Sequence, residues 1–114
     1  MISKKIVKNK EIAVLDRDRK GIFIHKDQLK GSAFKVGDRF AIKIGSVQLF
    51  ALTIVKDETG EIIFDKNGIF IRRTRRIDML LGGIFDEYII EIETEKPDTI
   101  AIKPLQVVMD NEIL

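Results

Sequence analysis

The heptad DRKGIFI at residues 18–24 recurs almost unchanged as DKNGIFI at residues 65–71. Five of the seven positions are identical, at a spacing of 47 residues. A second pair follows at a spacing of 48 residues, where DRFAIKI (38–44) matches DEYIIEI (86–92). Two matched blocks separated by one inserted residue indicate an internal duplication.

Each copy shows the same order of predicted elements, in repeat one over about residues 11–55 and in repeat two over about residues 61–104. In each copy, runs rich in isoleucine and valine predict two strands before a connecting segment and two strands after it. The heptad forms the turn and the second of these strands. In repeat two that segment, TRRIDMLLGG, predicts a helix that ends at the glycine pair. Its apolar residues recur at i, i+3, i+4 and i+7: Ile77, Leu80, Leu81 and Ile84. In repeat one, HKDQLKGSAF predicts a turn or short helix.

The heptads also predict their own turns. Asp18 and Asp65 are expected to accept hydrogen bonds from backbone amides in the turn that follows. Asn67 and Gly68 are expected to supply the positive φ values of a tight hairpin. The phenylalanines alternate along the strands as core residues do, so no exposed aromatic platform is expected.

Length and composition favour one domain, residues 1–114, with a mostly β fold. The chain is 45% hydrophobic and 33% charged, which is typical of a globular protein large enough to bury a core. Each repeat is too short for a core of its own, so both are expected to share one about a pseudo-twofold axis. The predicted fold is a small pseudo-twofold β barrel of the α+β class, mostly β with short helices, built from two ββαββ repeats. The lack of cysteine and of a long apolar run predicts a cytoplasmic protein with no membrane contact.

Positive charge is concentrated in one short segment. Residues 1–60 hold 13 basic and 7 acidic side chains, whereas residues 61–114 hold 7 basic and 11 acidic. Four of those seven are crowded into RRTRR (72–76) at the expected start of the helix. Cations there oppose the helix dipole at about 0.3–1 kcal/mol each, so the cluster favours binding an anion over stabilising the fold.

These charges predict a nucleic-acid-binding surface. The expected phosphate contacts are the four clustered arginines and the basic residues of the first turn and connecting segment: Arg72, Arg73, Arg75, Arg76, Arg17, Arg19, Lys20 and Lys26. Duplex DNA is the favoured partner and RNA the alternative.

Catalysis and cofactors are not expected. The chain has one histidine, His25, and no serine in a nucleophile-elbow or phosphate-loop context. One histidine without cysteine gives no metal-ligand pattern, so no metal site, catalytic residue or cofactor is predicted.

The segment DRKGIFIHKDQLKGSAFKVGDRFAIKI (18–44) resembles the AbrB/SpoVT/MazE family, the swapped-hairpin members of the cradle-loop barrels. The shared scheme is a strand, a turn with glycine, a strand, a helix and then a Gly-Asp step into the next strand. The resemblance implies a barrel that two chains of that family normally build together, and DNA binding through basic residues on the hairpins. Double-psi and RIFT barrels share the layout, and a PUA-like RNA-binding barrel is another small β architecture that could carry the same strands; these remain open alternatives.

A protein-binding module, antitoxin-like or inhibitor-like, is the other alternative. It would use the acidic alternation of Glu91, Glu93 and Glu95, or the apolar C-terminal tail LQVVMDNEIL. The chain is expected to be a monomer or a homodimer.

Overall fold

The computed structural model describes residues 11–43, 50–92 and 98–106. Within them the chain forms eight strands and one α-helix. The elements are β1 (Glu11–Asp16), β2 (Gly21–His25), β3 (Arg39–Ile42), β4 (Leu52–Lys56), β5 (Ile62–Asp65), β6 (Gly68–Arg72), α1 (Arg75–Leu81), β7 (Glu87–Ile92) and β8 (Thr99–Pro104). A 3-10 turn, Lys26–Leu29, stands between β2 and β3. The predicted mostly β content and the order of elements are confirmed.

The strands close into one antiparallel barrel in the order β1-β2-β6-β5-β3-β4-β8-β7, with β7 returning to β1. Each half of the chain begins with a hairpin, β1–β2 in the first half and β5–β6 in the second. The first strand of each hairpin pairs with a strand from the other half. Thus β1 pairs with β7, and β5 pairs with β3. Closure leaves no unpaired sheet edge among the eight described strands, which removes the main route to edge-to-edge association through them.

The two repeated heptads pair with each other in the middle of the sheet. Strands β2 and β6 run antiparallel with Phe23 opposite Phe70, and with His25 opposite Gly68 at one end and Gly21 opposite Arg72 at the other. A shift of one residue would turn the buried isoleucines of both strands outward, so the apolar pattern fixes this register.

The barrel interior is filled mainly by isoleucine, with leucine, phenylalanine and one tyrosine. Full burial of each such side chain contributes about 1.5–3 kcal/mol relative to exposure. The largest interior side chains with less than 2% exposure are Tyr88, Phe40, Ile22, Ile24, Leu52, Ile54, Ile69, Ile71, Leu81, Ile100 and Ile102. The hydroxyl of Tyr88 accepts a hydrogen bond from the amide of Phe85 at 3.1 Å, and burial raises the pKa of this tyrosine above its ordinary value.

The first hairpin turn differs from the prediction. Asp16, not Asp18, accepts from the amides of residues 18 and 19, both at 3.1 Å. The loop between β1 and β2 is two residues longer than the loop between β5 and β6, so the turn aspartate falls two positions earlier in the first copy. Asp65 was predicted correctly, since it accepts from the amides of Asn67 and Gly68 at 2.8 and 3.1 Å. Of that pair only Gly68 has a positive φ, +141°.

Helix α1 begins and ends as predicted but buries a narrower stripe. Thr74 is its N-cap, and Gly82 ends it in the left-handed conformation at φ +82°. Ile77 and Leu81 are buried, whereas Leu80 and Ile84, which were predicted to pack inward, are 40% and 49% exposed. The helix has only seven residues, so it contacts the barrel along one residue per turn. Of the four apolar residues that the sequence placed on one face of the helix, two are therefore buried and two are exposed.

Several sequence features fall outside the described residues: Ile44, Glu93, Glu95, the N-terminal residues 1–10 and most of the apolar tail, residues 107–114. Within the part of the chain that the structure describes, no helix has the length and apolarity needed to cross a membrane.

Candidate nucleic-acid interface

One end of the β2–β6 ladder brings the first hairpin turn beside the arginine cluster. The carbonyl of Lys20 accepts a hydrogen bond from the amide of Arg73 at 2.9 Å, and Gly21 lies opposite Arg72. Seven of the eight predicted contact residues meet here. We call them the basic end: Arg17, Arg19, Lys20, Arg72, Arg73, Arg75 and Arg76.

Three of these cations are paired within the chain. The Nε of Arg73 donates to both carboxylate oxygens of Asp78, at 3.0 and 3.1 Å. Arg17 pairs with Asp86, and Arg19 pairs with Asp16 at 2.9 Å. Arg73 therefore has a structural partner inside α1, so the four clustered arginines are not equivalent.

The other four cations carry no such restraint. Lys20, Arg72, Arg75 and Arg76 are exposed, and among the described residues none of their side chains forms an ion pair; Asp18, in the same turn, offsets one of these charges. Three unpaired guanidinium groups within five consecutive positions are a strong anion attractant, because each presents a planar fork of donors that matches a phosphate.

The start of α1 contributes less than the sequence suggested. The hydroxyl oxygen of Thr74 accepts from the amide of Ile77 at 3.2 Å, so it already serves the helix as a cap. A helix of seven residues also has few aligned peptide dipoles. The guanidinium groups, rather than the helix terminus, provide the attraction for an anion.

Lys26 lies apart from the other predicted contacts. It follows β2 at the opposite end of the ladder, where its amide donates to the carbonyl of Asn67 at 3.0 Å. Five strand residues span about 13 Å, so one phosphate cannot reach both ends. With the nearby Lys30 and Lys66, Lys26 forms a second, weaker basic surface, which we call the lysine end.

Two phenylalanines between these ends were assigned wrongly to the core. Phe23 and Phe70 are half-buried and project from the outer face of the ladder, and the guanidinium of Arg19 lies over both rings, 5.0 and 4.5 Å from their centroids. The signal was present in the heptad. Because Ile22 and Ile24 point inward, a period of two turns the residue between them outward.

The contact between Arg19 and Asp16 affects the pKa of the Asp16 carboxyl group. The hydrogen bond from the Arg19 side chain, aided by backbone amides, lowers the pKa of the Asp16 carboxyl below its ordinary 3.8. A lowered pKa in the folded state stabilises the fold above the unfolded pKa, and this contribution is lost as the pH falls through the folded pKa.

We therefore expect Arg19→Gln to raise the pKa of Asp16 toward 3.8 and to reduce the acid-sensitive contribution of this carboxyl group to stability. Carboxyl ¹³C chemical shifts during an acid titration measure it. Arg17→Gln is the matched control and should leave Asp16 unchanged. An Asp16 pKa that is the same in all three proteins would contradict the assigned contact.

No group of three or more His, Asp or Glu side chains in residues 11–43, 50–92 and 98–106 is placed to hold a metal ion. His25 instead caps the 3-10 turn, its Nδ1 accepting from the amide of Asp27 at 3.1 Å.

Comparison of the chain with protein-family models, with curated proteins and with solved structures finds no match.

Proposed function

We propose that this chain is a nucleic-acid-binding regulatory protein, without catalytic activity, that engages phosphates through its basic end. The observation that carries the proposal is the set of four exposed cations, Lys20, Arg72, Arg75 and Arg76, gathered without an ion-pair partner among the described residues. A polyanion supplies the counter-charges that the fold does not.

The paired arginines of the basic end add to this surface. Arg17 and Asp86 are both more than 70% exposed, and exposed ion pairs contribute only about 0–1 kcal/mol. Arg17 therefore exchanges a carboxylate for a phosphate at little cost. Arg73 stays on Asp78 and orients the segment that carries its three unpaired neighbours.

Duplex DNA is the proposed partner because a pseudo-twofold barrel has two related surfaces to set against a duplex. The strand order supports such symmetry: exchanging β1 with β5, β2 with β6, β3 with β7 and β4 with β8 leaves the closed order unchanged. The exchange maps the β1–β2 turn onto the β5–β6 turn and the segment after β6 onto the segment after β2. The basic end therefore corresponds to the lysine end. The crossing of each hairpin into the other half also supports the proposed kinship with the swapped-hairpin AbrB-like barrels.

A competition experiment tests the proposal. The purified chain is titrated with a labelled 20-base-pair DNA duplex at about 0.15 M salt, against unlabelled duplex DNA, structured RNA and heparin at equal phosphate concentration. We expect binding, with duplex DNA the better competitor. Better competition by RNA would favour the PUA-like alternative, and competition by heparin alone would reduce the surface to a non-specific polyanion site. Absence of any binding would refute the proposal.

A protein-binding module is the second candidate, and one surface favours it. Met79 is 74% exposed on α1, beside the exposed Leu80, and Phe50 packs its ring over Gly82 while remaining 44% exposed. Contiguous exposed apolar side chains are typical of contact sites. If this surface holds the partner, the double variant Met79→Ser, Leu80→Ser will abolish complex formation with that protein without changing nucleic-acid affinity.

A further inference from the structure

The outer face of four adjacent strands carries an apolar row across the barrel. The registers set Val14 of β1 opposite Phe23, and Phe23 opposite Phe70. Pairing of Phe64 with Ile69 continues the row to Ile63 of β5. Val14 and Ile63, at its two ends, are 48% and 42% exposed. These side chains face away from the core and are not needed to fill it.

The centre of the row is layered. A Cβ built on Gly21 would lie 2.4 Å from the ring tip of Phe70, so this ring lies across the glycine, on bare backbone. Arg19 covers the ring from above, with its Nε fixed by Asp16 and its side chain still 50% exposed. A guanidinium stacked on one aromatic face presents its other face to a second planar group.

Cations flank this row on both sides, at the two ends of the β2–β6 ladder that it crosses. Lys20 and Arg72 lie beside Gly21, whereas Lys26 and Lys66 lie beside His25. His25 itself packs edge-on against Phe23, with ring centroids 6.1 Å apart. A second copy of the chain laid on the row would bring its own cations against these. An apolar peptide would leave them without partners. A flexible polyanion with planar apolar groups matches both the row and the cations on its two sides.

We infer that this face is a stacking platform for unpaired nucleotides. A base stacks on the Arg19 guanidinium over Phe23 and Phe70, and the flanking phosphates reach Arg72 and Lys20 on one side and Lys26 and Lys66 on the other. Aromatic platforms with basic margins bind single strands in this way, largely independently of sequence. The inference rests on the proposed function and deepens it, because the preferred target then contains an unpaired stretch, in DNA or RNA, beside any duplex.

The test compares a 12-nucleotide oligothymidine with a 12-base-pair duplex, both labelled, at one salt concentration. Phe23→Leu, Phe70→Leu keeps apolar bulk and removes the rings, and Arg19→Lys keeps the charge and removes the plane. Phe50→Leu, at an exposed phenylalanine elsewhere, is the matched control. We expect the first two variants to lose about tenfold or more in affinity for the single strand, while the duplex affinity of the phenylalanine pair variant changes less than twofold. The control should match the wild type.

Stacking has its own readout, which separates it from electrostatic attraction. A single strand containing one 2-aminopurine should change its fluorescence on binding wild type, and should not do so with Arg19→Lys. Circular dichroism of each variant establishes that it is folded, and Arg19→Lys stands alone as the test if the phenylalanine pair is unstable. Unchanged single-strand affinity in Arg19→Lys, or a wild type that binds duplex only, would overturn the platform and leave the proposed function standing. A wild type that binds neither nucleic acid refutes both.

Discussion

Replacing Arg72, Arg75 and Arg76 together with glutamine is expected to flatten the salt dependence of nucleic-acid binding. Each phosphate contact on B-form DNA contributes about 0.9 to the slope of log affinity against log salt concentration, so three lost contacts lower it by about 2.7. None of the three side chains has an ion-pair partner in the described residues, so the free energy of unfolding should change by less than about 0.5 kcal/mol. Anisotropy titrations of a labelled duplex between about 0.05 and 0.2 M salt measure the slope.

A matched control separates position from net charge. Lys35→Gln, Lys43→Gln, Lys56→Gln removes the same number of charges from exposed positions outside both the basic end and the lysine end, so its slope should fall much less. A separate variant, Arg73→Gln, tests the one clustered arginine that has an ion-pair partner in the described part of the chain, and its main expected effect is on stability. Arg73→Gln leaves Asp78 without its guanidinium partner and should lower stability more than it lowers affinity. Equal slopes for the arginine triple variant and the wild type would remove the basic end from the account.

Gly68→Ala is expected to cause the largest loss of stability, about 3 kcal/mol or more, because two penalties coincide there. The residue has φ +141°, and a Cβ would lie 2.1 Å from the carbonyl oxygen of Ile24 and 2.9 Å from the amide nitrogen of Lys26. Both contacts are backbone atoms, which cannot move aside as a side-chain tip can. Gly68 is the first residue of β6, in the ladder that joins the two repeated heptads. The strain therefore disturbs a strand pairing that the closed barrel requires.

Alanine variants at two other glycines measure the backbone penalty and the steric penalty separately. Gly31 has φ +85° with nothing within 4 Å of a built Cβ, so Gly31→Ala measures the backbone cost alone, about 1 kcal/mol. Gly60 has no positive φ, but its Cβ would lie 2.1 Å from the carbonyl oxygen of Phe40, so Gly60→Ala measures the clash. Urea unfolding gives all three values. A smaller loss for Gly68→Ala than for Gly31→Ala would contradict the described close approach.

The sequence predicted the strands and the helix well because each depends on local signals. Alternation in the two GIFI segments and the glycine pair after α1 act within a few residues, and both were found in place. The order of strands around the barrel did not follow from such signals. That β1 joins β7 and that β5 joins β3 depends on contacts between residues far apart in the chain, which no local pattern encodes.

The sequence predicted which basic residues form the candidate site, but not how they are paired and arranged in space. The arginine cluster was evident from charge, but the pairing of Arg73 with Asp78 depends on side-chain reach across the first turn of α1. The separation of Lys26 from the cluster required knowing that β2 runs between them. The outward position of Phe23 and Phe70 followed from alternation alone, and the assumption that phenylalanine belongs to a core obscured it.

Backbone amide and arginine Nε–Hε chemical shifts of the ¹⁵N-labelled chain, followed during titration with nucleic acid, test the central claim most directly. The account predicts that the shifts of Lys20, Arg72, Arg75 and Arg76 change first and most, while those of β4 and β8 on the far side of the barrel stay in place. Changes concentrated on β4 and β8, or a spectrum unaltered by saturating nucleic acid, would contradict it.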